Sequence, residues 1–247
     1  MIYIATHKKV DVPDLSGYTL IQVGAANNKR FCKLTDDIGD NISKKNPNYS
    51  ELTALYWMWK NASDDIVGLV HYRRFFFYNR TTQFHLLQSE EAEKILKKYD
   101  LIVPKKTVMF RNNVESNYAD KHHLKDLMKC REIIKQNHPQ YLDAFDDVLS
   151  SHSYYAYNMF ISSKKIFDNY AKWLFNILFE VESQTDISKY DQYNKRIYGF
   201  LSERLFNVWI KQHNELLIKE LPVFKPTEKK RQLIKSVLDD VKRGIIH

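Results

Sequence analysis

The chain has 247 residues, enough to bury a full core, which predicts one compact domain, with or without a helical extension. Its formal net charge of +8 favours anionic partners, whether nucleotide-sugar diphosphates, nucleic acid or acidic lipid headgroups. Six glycines, against an average usage of about 7%, and the lack of G-x-G-x-x-G and Walker patterns argue against a glycine-rich phosphate loop. Cys32 and Cys130 are far apart and lack metal-ligand spacing, so a reducing, cytoplasmic setting is expected and a disulfide framework is not. Met1 to Lys9 hold no signal-peptide core, and no apolar run approaches the roughly 20 residues of a transmembrane helix.

Ile2-Tyr3-Ile4-Ala5 reads as a buried first strand followed by the polar Thr6-His7-Lys8-Lys9. Tyr18 to Val23 reads as a second strand closed by Gly24, and Ala25 to Asn48 as a long polar loop. Asn48 and Glu51 fit a capping box opening a helix whose buried face is Leu52, Leu55, Tyr56 and Trp59. Asp65 to Phe76 is an apolar, β-branched strand that delivers His71, Tyr72, Arg73 and Arg74 at its C-terminal end, where open α/β sheets place ligand-binding groups.

Farther on, a loop spans Asn79 to Gln83 and a helix capped by Ser89 covers Glu90 to Lys98. Asp100 to Pro104 is a strand, Thr107 to Tyr118 is irregular, and helices run to Lys135 and from Gln140 to Leu149. Ala156 to Ser162 reads as a strand and Lys164 to Glu182 as a long helix. A short helix, Tyr190 to Tyr198, ends at Gly199; Phe200 to Lys211 is another, with Glu203 off its apolar stripe. A last strand covers Leu221 to Phe224. Beyond it an amphipathic basic tail suits either an anionic membrane surface or docking on its own domain.

Adjacent His122 and His123 diverge on a helix, and neither H-E-x-x-H, C-x-x-C nor G-x-S-x-G occurs. What remains is a basic strand end, an acidic and amide-rich loop at Asp36 to Asn41, and carboxylates on helices. That set suits a group-transfer site binding a charged donor and using one general base.

Five ordered runs carry a resemblance: Asp40-Asn41-Ile42-Ser43, Glu51-Leu52-Thr53-Ala54-Leu55-Tyr56-Trp57, Gly68-Leu69-Val70-His71-Tyr72-Arg73-Arg74, Asn158-Met159-Phe160-Ile161 and Gly199-Phe200-Leu201-Ser202-Glu203-Arg204-Leu205. Together they resemble a family of bacterial glycosyltransferases encoded with capsule, exopolysaccharide and lipopolysaccharide assembly genes, long known only as a domain of unknown function. The likeness runs from Ile2 to about Val223 and leaves out the basic tail.

The resemblance implies a GT-A-like α/β domain over residues 1–224, a mixed central sheet flanked by helices, with 225–247 as a helical extension. It implies transfer of a hexose, galactose or galactofuranose, from a UDP-sugar to a glycan acceptor, by an inverting route. Ordinary GT-A enzymes hold a divalent ion on an Asp-x-Asp at a strand end, a pattern this chain lacks. By strand order that place falls to His71-Tyr72-Arg73, so cationic groups are expected to replace the metal and no cofactor is required. Mg or Mn on Asp36, Asp37 or Asp40 is the alternative.

In that scheme Thr6, His7 and Gly24 border base and ribose, with Asp40 and Asn41 also on the donor side. His71, Arg73 and Arg74 meet the diphosphate. Glu203 deprotonates the acceptor, the competing role being a solvated helix residue paired with Lys or Arg. His122 and Asn158 hydrogen-bond the acceptor, unless His122 is a surface or capping residue and Asn158 braces the loop beneath. The acceptor would be a lipid-linked oligosaccharide or other glycan at the inner face of the plasma membrane, with the tail in peripheral contact. A nucleic-acid-binding module and a non-catalytic scaffold of a polysaccharide assembly complex are the competing functions. Against the former, the basic residues are dispersed and no recognised nucleic-acid motif is present.

Overall fold

A computed structural model describes residues 1–79 and 84–225. The predicted loop from Asn79 falls largely, and the predicted tail helix almost wholly, outside them. The chain begins with β1 (Ile2–Thr6), β2 (Tyr18–Gln22) and a two-residue β3 (Leu34–Thr35), followed by the short α1 (Asn46–Tyr49) and α2 (Leu52–Asn61). Next come β4 (Ile66–His71), the hairpin β5 (Phe75–Asn79) and β6 (Phe84–Leu86), α3 (Ser89–Leu96) and β7 (Leu101–Pro104). The middle holds β8 (Thr107–Val108), α4 (Val114–Ala119), α5 (Leu124–Asn137), α6 (Leu142–Ser150) and β9 (Ser153–Tyr154). The last part is β10 (Phe160–Ser163), α7 (Lys164–Ser183), α8 (Ile197–Gln212), β11 (Ile218–Leu221) and β12 (Val223–Phe224).

Seven strands form the central sheet in the order β11-β7-β10-β4-β1-β2-β3. All run parallel except β10, which is antiparallel to β4 and β7. This mixed sheet flanked by helices is a GT-A-like α/β fold. The period-two alternation of β1 splits the core: Tyr3 and Ala5 join α2, α7 and α8, while Ile2 and Ile4 join Val70, Phe75 and Ile102 on the other face. On α7, Phe167, Tyr170, Leu174, Ile177, Leu178 and Val181 are all buried, as their spacing predicts, and the Ser163 hydroxyl caps the helix by accepting the Ile166 N–H. Among the described residues no helix is long and apolar enough to cross a membrane.

Several boundaries differ from the sequence reading. The strand predicted over Asp65 to Phe76 ends at His71, turns, and restarts as β5 outside the central sheet. Pro222, which has no N–H to give a ladder, splits the last predicted strand into β11 on the main sheet and β12 on β5. Asn113 and Ser116 exchange hydrogen bonds at the start of α4, inside the segment expected to be irregular. Gln88, rather than Ser89, caps α3. The helix α8 passes through Gly199 without a break.

Candidate active site

Residues 67–70 of β4 are buried, and its C-terminal end at His71 opens onto a cavity beside the ends of β1 and β2. There the Arg74 N–H donates to the His71 carbonyl at 2.9 Å, closing a tight turn that projects Tyr72, Arg73 and Arg74. The Tyr72 ring carries cations on its flanks, Lys8 Nζ 5.4 Å and the Arg73 guanidinium 5.6 Å from its centroid, with His7 edge-on at 5.5 Å. The Arg74 guanidinium lies 4.5 Å over Tyr157, and its buried Nε has no hydrogen-bond partner among the described residues. His7, Tyr72, Arg73, Arg74 and Tyr157 line a cavity of about 550 Å³, with Thr6, Glu51 and Glu203.

The antiparallel β10 returns to this same edge, preceded by Tyr157 and Asn158, both left-handed at φ 83° and 48°. That backbone ties the floor together. Tyr157 N–H donates to Glu203 Oε1 at 3.2 Å, and its carbonyl accepts from His71 Nε2–H at 2.6 Å. A carbonyl can only accept, so the His71 proton sits on Nε2 and Nδ1 keeps its lone pair. Burial pushes the His71 pKa down against the pull of Glu51, so the ring is neutral near pH 7. The Asn158 amide donates to Glu51 Oε1 at 2.8 Å and to the Gly199 carbonyl at 3.0 Å, and accepts the Ser202 hydroxyl at 2.8 Å.

Two carboxylates therefore share the floor. The Glu203 side chain is 20% exposed and Oε2 accepts from Arg204 Nη1 at 3.0 Å, an arginine 3% exposed. Burial raises the Glu203 pKa; Arg204 opposes the rise and the charge of Glu51 adds to it. A carboxylate whose pKa is raised despite a neighbouring arginine has the chemistry of a general base.

The opposite wall is aromatic. His122 stacks on Phe200 at 4.0 Å and on Tyr193 at 5.6 Å, and its ring donates to Asn194 Oδ1 at 3.0 Å. Arg196 Nε donates to the Ser50 hydroxyl at 3.0 Å and stands at the mouth of the cavity. Burial, then Lys8, Arg73 and Arg196, holds the pKa of His7 down, so positive charge converges on this opening.

Of the residues singled out from sequence, Thr6, His7, His71, Arg73, Arg74 and Glu203 line one cavity, and Gly24, Asp40, Asn41, His122 and Asn158 do not. Gly24, left-handed at φ 68°, packs on Asn46, which does line it. Asp40 accepts from the Tyr56 hydroxyl at 3.1 Å, and Asn41 closes a turn with Gly39 and Ser43. His122 lies behind the aromatic wall and Asn158 beneath the floor, the bracing role allowed by its burial.

The three aspartates weighed as metal ligands do not converge. Buried Asp36 accepts the N–H groups of Gly24 and Ala25 and the Ser43 hydroxyl. Asp37 is held by Thr35 and Arg30, and Asp40 lies on the surface with Tyr56 and Lys60. Among the described residues no three His, Cys, Asp or Glu side chains are grouped to hold a metal ion. The turn after β4, residues 72–74, carries no carboxylate.

Sequence reasoning gave Glu51 to a capping box, yet its side chain makes no cap bond and faces the cavity. Tyr157, Tyr193 and Arg196 were also missed; the backbone twist that places Tyr157 has no glycine to mark it.

Comparison with known proteins agrees with this architecture. The apo structure of the bifunctional glycosyltransferase WbbM superposes with a TM-score of 0.82 at 32% identity, covering 92% of this chain and 45% of that one. The chain thus spans less than half the length of that protein. No curated protein matches in sequence. Residues 1–215 match the family described as domain of unknown function DUF4422, and the chain belongs to that family.

Proposed function

We propose that the chain is a glycosyltransferase that moves a hexose from a UDP-sugar to a glycan acceptor. The observation that carries this reading is the basic turn His71 to Arg74 facing Glu203 across one cavity of about 550 Å³. The likeness to WbbM, itself a bifunctional glycosyltransferase, supports it. Thr6 and His7 border the nucleoside, while Arg73 and Arg74 take the diphosphate, two planar donor forks that stay charged at any working pH. Glu203 removes the proton of an acceptor hydroxyl. That oxygen attacks the anomeric carbon as the bond to the diphosphate oxygen breaks, and the electron pair leaves with UDP, its growing charge met by the arginines.

Cationic side chains stand in this reading where related folds use a metal. The resemblance points to galactose, in pyranose or furanose form, as the hexose and to surface-polysaccharide assembly as the setting, with a lipid-linked or polymeric acceptor at the inner membrane face. Contact of the basic tail with anionic lipid belongs to the same proposal, and liposome flotation of the chain with and without residues 226–247 tests it.

Calorimetric titration of UDP-hexoses, with and without EDTA, tests the core of the reading. Binding that EDTA leaves unchanged is the expected result. Failure of every UDP-sugar to bind overturns the transferase reading, and binding abolished by EDTA overturns the arginine-for-metal part.

A further inference from the structure

Tyr193 is 51% exposed at the cavity wall, unusual for a ring in contact with two other aromatic side chains. Despite that exposure its backbone is pinned, and its ring packs against Phe200 at 5.0 Å and His122 at 5.6 Å. Asp191 Oδ1 accepts the N–H groups of Tyr193 at 2.8 Å and Asn194 at 3.0 Å, and Asp191 Oδ2 accepts the Asn194 amide at 2.8 Å. Because the Asn194 nitrogen is spent on Asp191, its oxygen faces His122, which lies against both Tyr193 and Phe200. The Tyr193 carbonyl in turn accepts the Arg196 N–H at 3.2 Å. An exposed aromatic ring fixed in this way loses little freedom when a ligand covers it, the property of a preorganised binding wall.

We propose that Tyr193, backed by Phe200 and His122, is a stacking platform for a hexopyranose ring of the acceptor glycan. The inference rests on the transferase reading and adds the acceptor subsite to it. A pyranose chair has an apolar C–H face and a rim of hydroxyls; a tyrosine offers an apolar face with a polar tip, so the two are complementary. Position decides between an acceptor sugar and the nucleobase. Phe200 and Glu203 are three residues apart on α8 and therefore lie on one face of the helix, both lining the cavity. A ring stacked on this wall has its hydroxyls beside the Glu203 carboxylate, where a proton must be removed. The groups suited to a nucleotide, Thr6 and His7 at the end of β1 and Arg73 after β4, belong to the sheet edge rather than to α8.

Saturation-transfer NMR tests this with methyl β-D-galactopyranoside and methyl β-D-glucopyranoside as probes, on the full chain with and without UDP. Wild-type protein is expected to transfer magnetisation to the ring C–H protons of at least one probe. Tyr193→Ala should weaken that binding about tenfold, or about 1.4 kcal/mol, whereas Tyr193→Phe and Tyr193→Trp retain it. UDP affinity by calorimetry should be equal in all four proteins, and unchanged melting temperatures show that they are folded. Loss of UDP affinity in Tyr193→Ala would identify the wall as a base platform and overturn the proposal. So would pyranoside binding that is absent in the wild type or indifferent to Tyr193→Ala. Failure of wild-type protein to bind UDP speaks against the transferase reading alone, because the pyranoside experiment without UDP is read separately.

Discussion

Asn158 Nδ2 donates to Glu51 Oε1 at 2.8 Å, so a buried amide on the strand side fixes a carboxylate that comes from the start of α2. The same amide reaches Gly199 and Ser202 on α8, joining three elements beneath the cavity. Asn158→Ala removes these bonds and puts a side chain without local polar contacts at φ 48°. Orphaning such groups costs about 1–3 kcal/mol each, so a loss of about 2–4 kcal/mol in urea unfolding is expected, with slower turnover as Glu51 and α8 lose register. Asn158→Asp should be destabilised more at pH 7 than at pH 4, because it sets a second carboxylate against Glu51.

Glu51 should show itself in the pH profile. Glu203 must be ionised to accept a proton, and burial, aided by the charge of Glu51, raises its pKa. Activity is therefore lost, as pH falls, earlier than a free glutamate would allow. Glu51→Gln keeps an oxygen for Asn158 but removes the like charge, so the acid limb of kcat/KM should move to lower pH. A limb that stays in place or moves up would refute the coupling. Glu203→Gln should bind UDP-sugar normally and lose nearly all transfer.

Arg73 and Arg74 are separable. Arg73 is exposed at the turn, and Arg73→Gln should cost on the order of a hundredfold in turnover, a few kcal/mol, if it meets the leaving diphosphate. The loss should shrink as salt is raised, since screening weakens the exposed charge in the wild type too. Arg74 stacks on Tyr157, and Arg74→Lys keeps the charge while losing the planar stack, so donor affinity and melting temperature should fall together.

Asp36 was weighed from sequence as a metal ligand, and its fully buried position assigns it a different job. It satisfies two backbone N–H groups and a hydroxyl where β2 gives way to the loop. Asp36→Ala should lower stability by about 2–4 kcal/mol in denaturant melts. At temperatures where the variant stays folded, its response to EDTA should match the wild type.

The strands and long helices were legible because their signals are local: the alternation in β1, the apolar run of β4 and the 3.6-residue stripe of α7 each determine a face. The basic end of β4 could be placed for the same reason, as a strand buried on both faces must release its polar residues at its tip. What could not be read depends on contacts distant in sequence. Glu51 matches a capping pattern, but Asn158, 107 residues away, holds its side chain. Ala156 to Ser162 has strand composition, yet the strand starts at Phe160 because Tyr157 and Asn158 turn left-handed to meet His71, Glu203 and Glu51. Non-glycine residues in that conformation are paid for by tertiary hydrogen bonds that no local pattern announces. Tyr193 was missed because an aromatic residue in a polar segment looks the same whether it is surface or binding wall.

Gly68 shows how the sheet itself positions the basic turn. It lies in the middle of β4, opposite Ile161 of β10, and a Cβ built there would stand 2.7 Å from Ile161 Cγ1 and 3.1 Å from Cγ2. Contacts this short force β4 and β10 apart or drive Ile161 off its rotamer, and overpacking of that kind costs about 1–3 kcal/mol. Both strands deliver the site at their ends, β4 through His71 and β10 through Tyr157, and the 2.6 Å hydrogen bond between those residues depends on the spacing. Gly68→Ala should therefore lower both the melting temperature and kcat. Ile161→Ala removes both clashing γ-carbons, so Gly68→Ala added to it should lose less of each than it does in the wild type, a partial recovery. Recovery of stability without recovery of kcat would show that the strand spacing does not set the geometry of the floor.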